Sequence, residues 1–133
     1  IGAYKPFYIN NTARFYLEGC CGINIEPNPT AFNELVKLRK RDVNLNIGVA
    51  KERGVLTYYV MDRPTLNTFS EAEALKNVET CGVKIIDKIQ INVDSIENIL
   101  NEYCNGICPD FMSLDIEGEE VNVLNSVCSF LVK

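Results

Sequence analysis

The chain has 133 residues, of which 47% are hydrophobic and 23% charged, and its net charge is −5. This composition is typical of one folded domain with its own hydrophobic core, and it excludes a disordered chain. The negative charge argues against binding to nucleic acid, because contact with phosphates needs a basic surface. Histidine is absent, which excludes a Ser-His-Asp triad, a Cys-His pair and His-ligated zinc within this chain.

Membrane spans and metal sites are poorly supported by the sequence. No apolar run is long enough to cross a bilayer, and no signal peptide is recognisable. We therefore expect a cytoplasmic protein.

Cys104 and Cys108 have the only metal-like spacing among the six cysteines, and no second pair completes a site. Free thiols are the favoured interpretation over zinc.

The predicted elements alternate between helices and strands. After a loop over residues 1–11, a helix is expected over 12–19 and a short strand over 22–26. Pro29 suits the first turn of a helix over 29–41, and the basic residues at its end are expected to be solvated. The remaining predicted elements are strands 43–50, 54–61, 85–93 and 109–116, and helices 71–77, 96–103 and 118–131. This order predicts an α/β domain with a largely parallel sheet.

Small or acidic residues mark the carboxyl ends of the predicted strands. In an open α/β sheet, ligands bind beyond these ends. The residues at four such ends are Gly2 and Ala3, Glu26, Asn46 and Gly48, and Asp115 and Glu117. We expect them to converge on one edge of the sheet.

Glu26 is open to two interpretations. An acidic residue at the end of a second strand can accept hydrogen bonds from both hydroxyls of a ribose. Alternatively, its carboxylate could cap the helix that follows. Pro27 and Pro29 reduce the number of amide donors, so the ribose role is favoured. The G-x-G-x-x-G pattern is missing, which disfavours a nicotinamide-dependent oxidoreductase.

Five segments of the sequence, in order and spacing, resemble the FkbM-like S-adenosylmethionine-dependent methyltransferases. "NIEPNP" and "LDIEGEE" are the most specific parts, and the resemblance covers nearly the whole chain. The resemblance implies a Rossmann-like methyltransferase fold and transfer of a methyl group to a hydroxyl of a sugar, glycolipid or secondary metabolite. The segments are "GAYKPFYINNT", "GINIEPNPTAFNEL", "NLNIGVA", "LNTFS" and "DFMSLDIEGEE".

The resemblance also implies which residues would hold the cofactor, S-adenosylmethionine. Gly2 and Ala3 would lie in the loop under its methionine moiety. Glu26 would hold the ribose hydroxyls, and Asn46 and Gly48 would lie near the adenine.

Asp115 and Glu117 would face the site of methyl transfer. A carboxylate beside the acceptor can position its hydroxyl and remove the proton, and one beside the sulfonium favours that cation. Asp115 is the candidate for contact with cofactor or acceptor, and Glu117 is the candidate general base. The two could instead share a divalent cation. Glu119 and Glu120 are interpreted as acidic residues that favour a helix N-terminus.

The family pattern predicts that residues 1–133 form one partial domain. In the family pattern, an acidic residue on a central strand comes just before "IGA", and further strands follow the helix after "LDIEG". An unpaired sheet edge would favour self-association. A non-catalytic α/β binding or interaction module derived from the same fold is the alternative hypothesis.

Overall fold

The computed structural model describes residues 1–116, 121, 123–125 and 127. Residues 1–116 form four helices, one 3₁₀ turn and five strands, and three of the strands follow one another without a helix between them. The helices are α1 (Ala13–Leu17), α2 (Pro29–Leu38), α3 (Glu71–Cys81) and α4 (Ile96–Cys104), and the 3₁₀ turn is Pro64–Leu66. The strands are β1 (Ile23–Ile25), β2 (Val43–Leu45), β3 (Gly48–Val49), β4 (Gly54–Met61) and β5 (Ile85–Asp94).

The strands form two small sheets, so the predicted α/β class is confirmed in outline. β1 and β2 pair in parallel. β5 lies between β3 and β4, parallel to β3 and antiparallel to β4. The prediction of a mostly parallel sheet is wrong for the described residues, because the longest pairing, β4 with β5, is antiparallel. The short turn after β3 reverses the chain, so β4 runs opposite to β3 and therefore to β5.

The strand predicted over 43–50 is divided into β2 and β3. Asn46 interrupts it, because its Nδ2 donates to the backbone oxygens of Glu26 at 2.8 Å and Pro27 at 3.0 Å. These bonds attach the end of β2 to the end of β1. The carboxyl ends of both strands are thereby held at one edge.

The strand predicted over 109–116 is not formed as a regular strand. Residues around Ser113 instead make single backbone hydrogen bonds with Ile1. The Ile1 nitrogen donates to the Ser113 oxygen at 2.7 Å, and the Asp115 nitrogen donates to the Ile1 oxygen at 3.1 Å. The chain start therefore lies beside residues 113–115. Of the helix predicted over 118–131, the described positions 121, 123–125 and 127 are helical, and the others lie outside the described residues.

Arg39 corrects the expectation that the basic residues after α2 are solvated. Its side chain is only 2% exposed and forms an ion pair with Asp42 at 2.7 Å. It also donates to the Pro6 oxygen at 2.9 Å and to Thr12 Oγ1 at 3.1 Å. Arg39 thus fixes the N-terminal loop against the end of α2 and the start of β2.

The hydrophobic core has two parts. The larger part joins β1 and β3 to α4 and includes Ile25, Val49 and Ile99. The smaller part packs Met61 of β4 against Ala74 of α3. The larger core lies next to the strand ends at which the candidate site is found. In the part of the chain that the structure describes, no helix has the length and apolar character needed to cross a membrane.

Candidate functional site

The loop at Gly2 and Ala3 lies between two other candidate segments. The Gly2 and Ala3 amides donate to the Ile25 oxygen, at 2.9 and 3.2 Å. On the other side, the Asp115 amide donates to the Ile1 oxygen. The structure therefore brings the loop, the end of β1 and the segment at Asp115 together, as the strand-end pattern predicts.

Gly2 occupies a position that only glycine fits. Its φ is +71°, in the left-handed region, and an added Cβ would lie 2.0 Å from the Asp115 carbonyl oxygen. A side chain there would need both a strained backbone and displacement of residue 115. The close approach of these two backbones depends on this glycine.

Glu26 is the buried carboxylate of the site, with only 4% of its surface exposed. Oε2 accepts from the Tyr4 amide at 2.7 Å, and Oε1 accepts from the Asn28 amide at 2.8 Å. Burial raises the pKa of Glu26, and these two amides offset part of that rise. Each carboxylate oxygen can still accept a further hydrogen bond. Glu26 is thus a fixed, desolvated acceptor at the end of β1.

The capping alternative for Glu26 is wrong. The N-cap of α2 is Asn28, whose Oδ1 accepts from the Thr30 amide at 2.9 Å and the Ala31 amide at 3.5 Å. Glu26 binds the amide of Asn28 itself, before the helix begins. The Glu26 carboxylate therefore binds the backbone of the cap residue, and Asn28 accepts the hydrogen bonds from the first helical turn.

Gly48 lies against an aromatic pair that the strand-end pattern does not assign to the site. A Cβ at Gly48 would lie 2.5 Å from Cζ of Phe69. The Phe69 ring packs on Tyr58 of β4, with ring centroids 4.7 Å apart. Burial raises the pKa of the Tyr58 hydroxyl, and the nearby Glu26 carboxylate raises it further. The segment "LNTFS" and β4 therefore border the same edge as Glu26.

Asn67 of the same segment carries a buried side-chain amide next to Tyr58. The residue is 8% exposed. Its Oδ1 accepts from the Met61 amide at 2.8 Å. Its Nδ2 is fully buried and makes no hydrogen bond of normal length among the described residues, but the side chain contacts the Tyr58 hydroxyl and lowers its pKa against the rise that burial causes. In the sequence, only the place of Asn67 in the segment "LNTFS" indicated a role at the site. The local pattern could not reveal its neighbours in space.

Asp115 and Glu117 are described to different extents. The Asp115 side chain is exposed at the edge, next to Gly2. Glu117 lies outside the described residues. The alternative in which Asp115 and Glu117 share a cation depends on Glu117 and therefore also falls outside them.

A cavity of about 540 Å³ lies beside this edge, and Ile1, Ile25 and Ser113 are among its lining residues. Apolar residues from β1, α4 and the segment before Ser113 line it, including Ile23, Ile99, Leu100 and Met112. Gly2, Glu26 and Asn46 are not among the lining residues. The cavity therefore adjoins the edge but does not include the buried carboxylate.

The fold and the edge define an α/β domain with small and acidic residues brought together at its strand ends. The family model described as the methyltransferase FkbM domain matches residues 1–133. The chain belongs to this family, which places it among the methyltransferases and confirms the resemblance of the five segments. No curated protein and no solved structure matches the chain.

Proposed function

We propose that the chain is a methyltransferase domain that uses S-adenosylmethionine to methylate a hydroxyl group. Family membership supports methyl transfer. The observation that carries the proposal for the cofactor is Glu26, a buried carboxylate fixed by two backbone amides at the end of β1. Such a group matches the paired hydroxyl donors of a ribose.

The residues at the edge fit a bound nucleoside. Glu26 offers acceptors for hydroxyl groups, and the Tyr58 and Phe69 rings beside Gly48 offer an apolar surface for a flat ring. Gly2 and Ala3 would support the methionine moiety, and Asn46 and Gly48 would lie near the adenine. The cofactor, when bound, supplies an electrophilic methyl group on a sulfonium.

The acceptor would bind at the exposed end of this edge. Asp115 is solvent-accessible there, and its carboxylate would favour the sulfonium cation or hold the acceptor hydroxyl. Glu117, two residues further along the chain, would position that hydroxyl and take its proton. The substrate class we propose is a sugar, glycolipid or secondary metabolite with a free hydroxyl, met in the cytoplasm.

Calorimetric titration with S-adenosylmethionine tests the cofactor assignment. Replacement of Glu26 by alanine should weaken binding by about 1–3 kcal/mol, since a charge-assisted hydrogen bond is lost. Glu79→Ala is the matched control, because Glu79 is an exposed glutamate on α3; its affinity should equal that of the parent. Equal affinities for the parent and Glu26→Ala would rule the ribose role out.

A further inference from the structure

The side of β1 that faces away from β2 carries free backbone groups. Towards β2, the Gly22 oxygen accepts from the Val43 amide. Because the backbone groups of successive residues in a strand point to opposite sides, the amides and oxygens of Ile23 and Ile25 point away from β2. Of these four groups, only the Ile25 oxygen is bonded in the described part of the chain, by the amides of the loop at Gly2.

A second row of free backbone groups lies opposite, in the segment before Asp115. Ile1 pairs with this segment as one strand pairs with a parallel neighbour. Its nitrogen donates to the Ser113 oxygen at 2.7 Å, and its oxygen accepts from the Asp115 amide at 3.1 Å. In the same register, the next groups along are the Ser113 amide and the Phe111 oxygen. Neither has a hydrogen-bond partner among the described residues.

The space between these two rows is one strand wide. Where Ile1 leads into the loop that follows it, a single backbone bonds Ser113 on one side and Ile25 on the other. Before Ile1, the space continues as the cavity of about 540 Å³. We call this space the strand slot; it is bounded by Ile23 and Ile25 on one side and by Phe111 and Ser113 on the other.

Apolar side chains from two helices line the strand slot. α4 contributes Ile99 and Leu100, which belong to the same hydrophobic core as Ile25. α1 contributes the rings of Phe15 and Tyr16. A parallel strand that is covered on both faces carries apolar side chains on both. The lining therefore suits such a strand.

We propose that the strand slot binds an extended, apolar strand that runs parallel to β1 and leads into Ile1. Its backbone would pair with the free groups on both sides, which an aliphatic ligand could not do. The residue before Ile1 would accept from the Ile25 amide and donate to the Ile23 oxygen. The residue before that one would accept from the Ser113 amide and donate to the Phe111 oxygen. The strand would thereby fix Ile1 between the two sides of the slot.

N-terminal extensions of the full chain test this inference by urea unfolding. One variant carries Val-Ile-Val-Val before Ile1, a second carries Gly-Ser-Gly-Ser, and a third carries Val-Ile-Val-Pro. The first should lower the unfolding equilibrium constant at least about tenfold, which corresponds to about 1.4 kcal/mol. The Gly-Ser extension should change it by no more than about twofold. The proline extension should lose most of the gain, because proline has no amide to donate to the Ile23 oxygen.

Amide hydrogen exchange locates the added strand. The Asn24 amide faces β2 and is the internal reference. Relative to Asn24, the amides of Ile25 and Ser113 should exchange about tenfold more slowly with the Val-Ile-Val-Val extension than with the Gly-Ser extension. Comparison with a residue of the same strand removes any general gain in stability.

Three results would overturn the inference. Equal unfolding constants for the Val-Ile-Val-Val and Gly-Ser extensions would show that the slot takes no strand. Equal gains from the valine and proline extensions would reduce the effect to non-specific apolar contact. Protection of the Ile25 amide in the unextended chain that rises with protein concentration would assign the slot to a second copy of the chain. None of these measurements uses S-adenosylmethionine, so their outcome is independent of the proposed function.

Discussion

Gly2 shows how one residue sets the spacing of the site. Its backbone is left-handed, and an added Cβ would lie only 2.0 Å from the Asp115 oxygen, which leaves no room for a side chain. Gly2→Ala should destabilise the fold by about 1–3 kcal/mol, the usual cost of such strain. Denaturant unfolding would measure this change.

Gly22→Ala is the control for that substitution. No atom lies within 4 Å of a Cβ at Gly22, and its amide can still donate to Asp42. Its free energy of unfolding should therefore change by no more than about 0.5 kcal/mol. Equal small effects of the two substitutions would show that the approach of residues 2 and 115 is not tight.

The raised pKa of Glu26 predicts a pH dependence with a definite sign. Burial is the main cause, so the folded state holds the proton more tightly than the unfolded state. The stability from this group is complete below the ordinary glutamate pKa of 4.5 and is lost as pH rises through the raised value.

Glu26→Gln removes this titration. The unfolding free energy of the parent minus that of the variant should decrease as the pH is raised from about 4.5. Urea unfolding at several pH values would measure this difference. An increase over the same range would mean that the carboxylate is stabilised as an anion, contrary to a desolvated site.

At the scale of elements, the ion pair of Arg39 and Asp42 joins the N-terminal loop to α2 and β2. Arg39→Met would leave a buried carboxylate without its cation, which typically costs about 3–5 kcal/mol. Because the loop carries Gly2 and Tyr4, binding of S-adenosylmethionine should weaken as well. Thermal unfolding and calorimetry measure the two effects.

Arg14→Met is the matched control for Arg39→Met. Arg14 pairs with Glu18 on an exposed face of α1, so its loss should cost about 0.5 kcal/mol or less. Similar effects of the two substitutions would show that the Arg39 network contributes no more than a surface pair.

Local signals predicted the helices better than the sheets. Pro29 correctly indicated the start of α2, and Ser70 caps α3 through the Glu73 amide at 3.2 Å. The sheet order depends on contacts between distant residues. No local sequence pattern indicated that β5 lies between β3 and β4. The strand predicted over 43–50 looked continuous, but the hydrogen bonds of Asn46 to the end of β1 interrupt it.

The candidate site was predictable where it follows strand ends and not where it depends on packing. Gly2 and Glu26 could be found because each follows or ends a predicted strand. Asn67 and Tyr58 reach the same edge from a loop and from β4, whose antiparallel position was not predicted. The contacts of a buried side-chain amide can be recognised only once its neighbours in space are known.

At the scale of the whole molecule, family and structure support one account. The chain belongs to the FkbM methyltransferase domain family. Its candidate edge holds a buried carboxylate, Glu26, and a close-packed glycine, Gly2. The central claim is that this edge binds S-adenosylmethionine.

Unfolding of the chain in the presence of S-adenosylmethionine or NAD tests that claim most directly. A ligand that binds only the folded state adds about 2.7 kcal/mol to the unfolding free energy at a hundredfold excess over its dissociation constant. We predict such concentration-dependent stabilisation by S-adenosylmethionine and by its demethylated product, and none by NAD. Stabilisation by NAD alone, or by none of the three, would contradict the account.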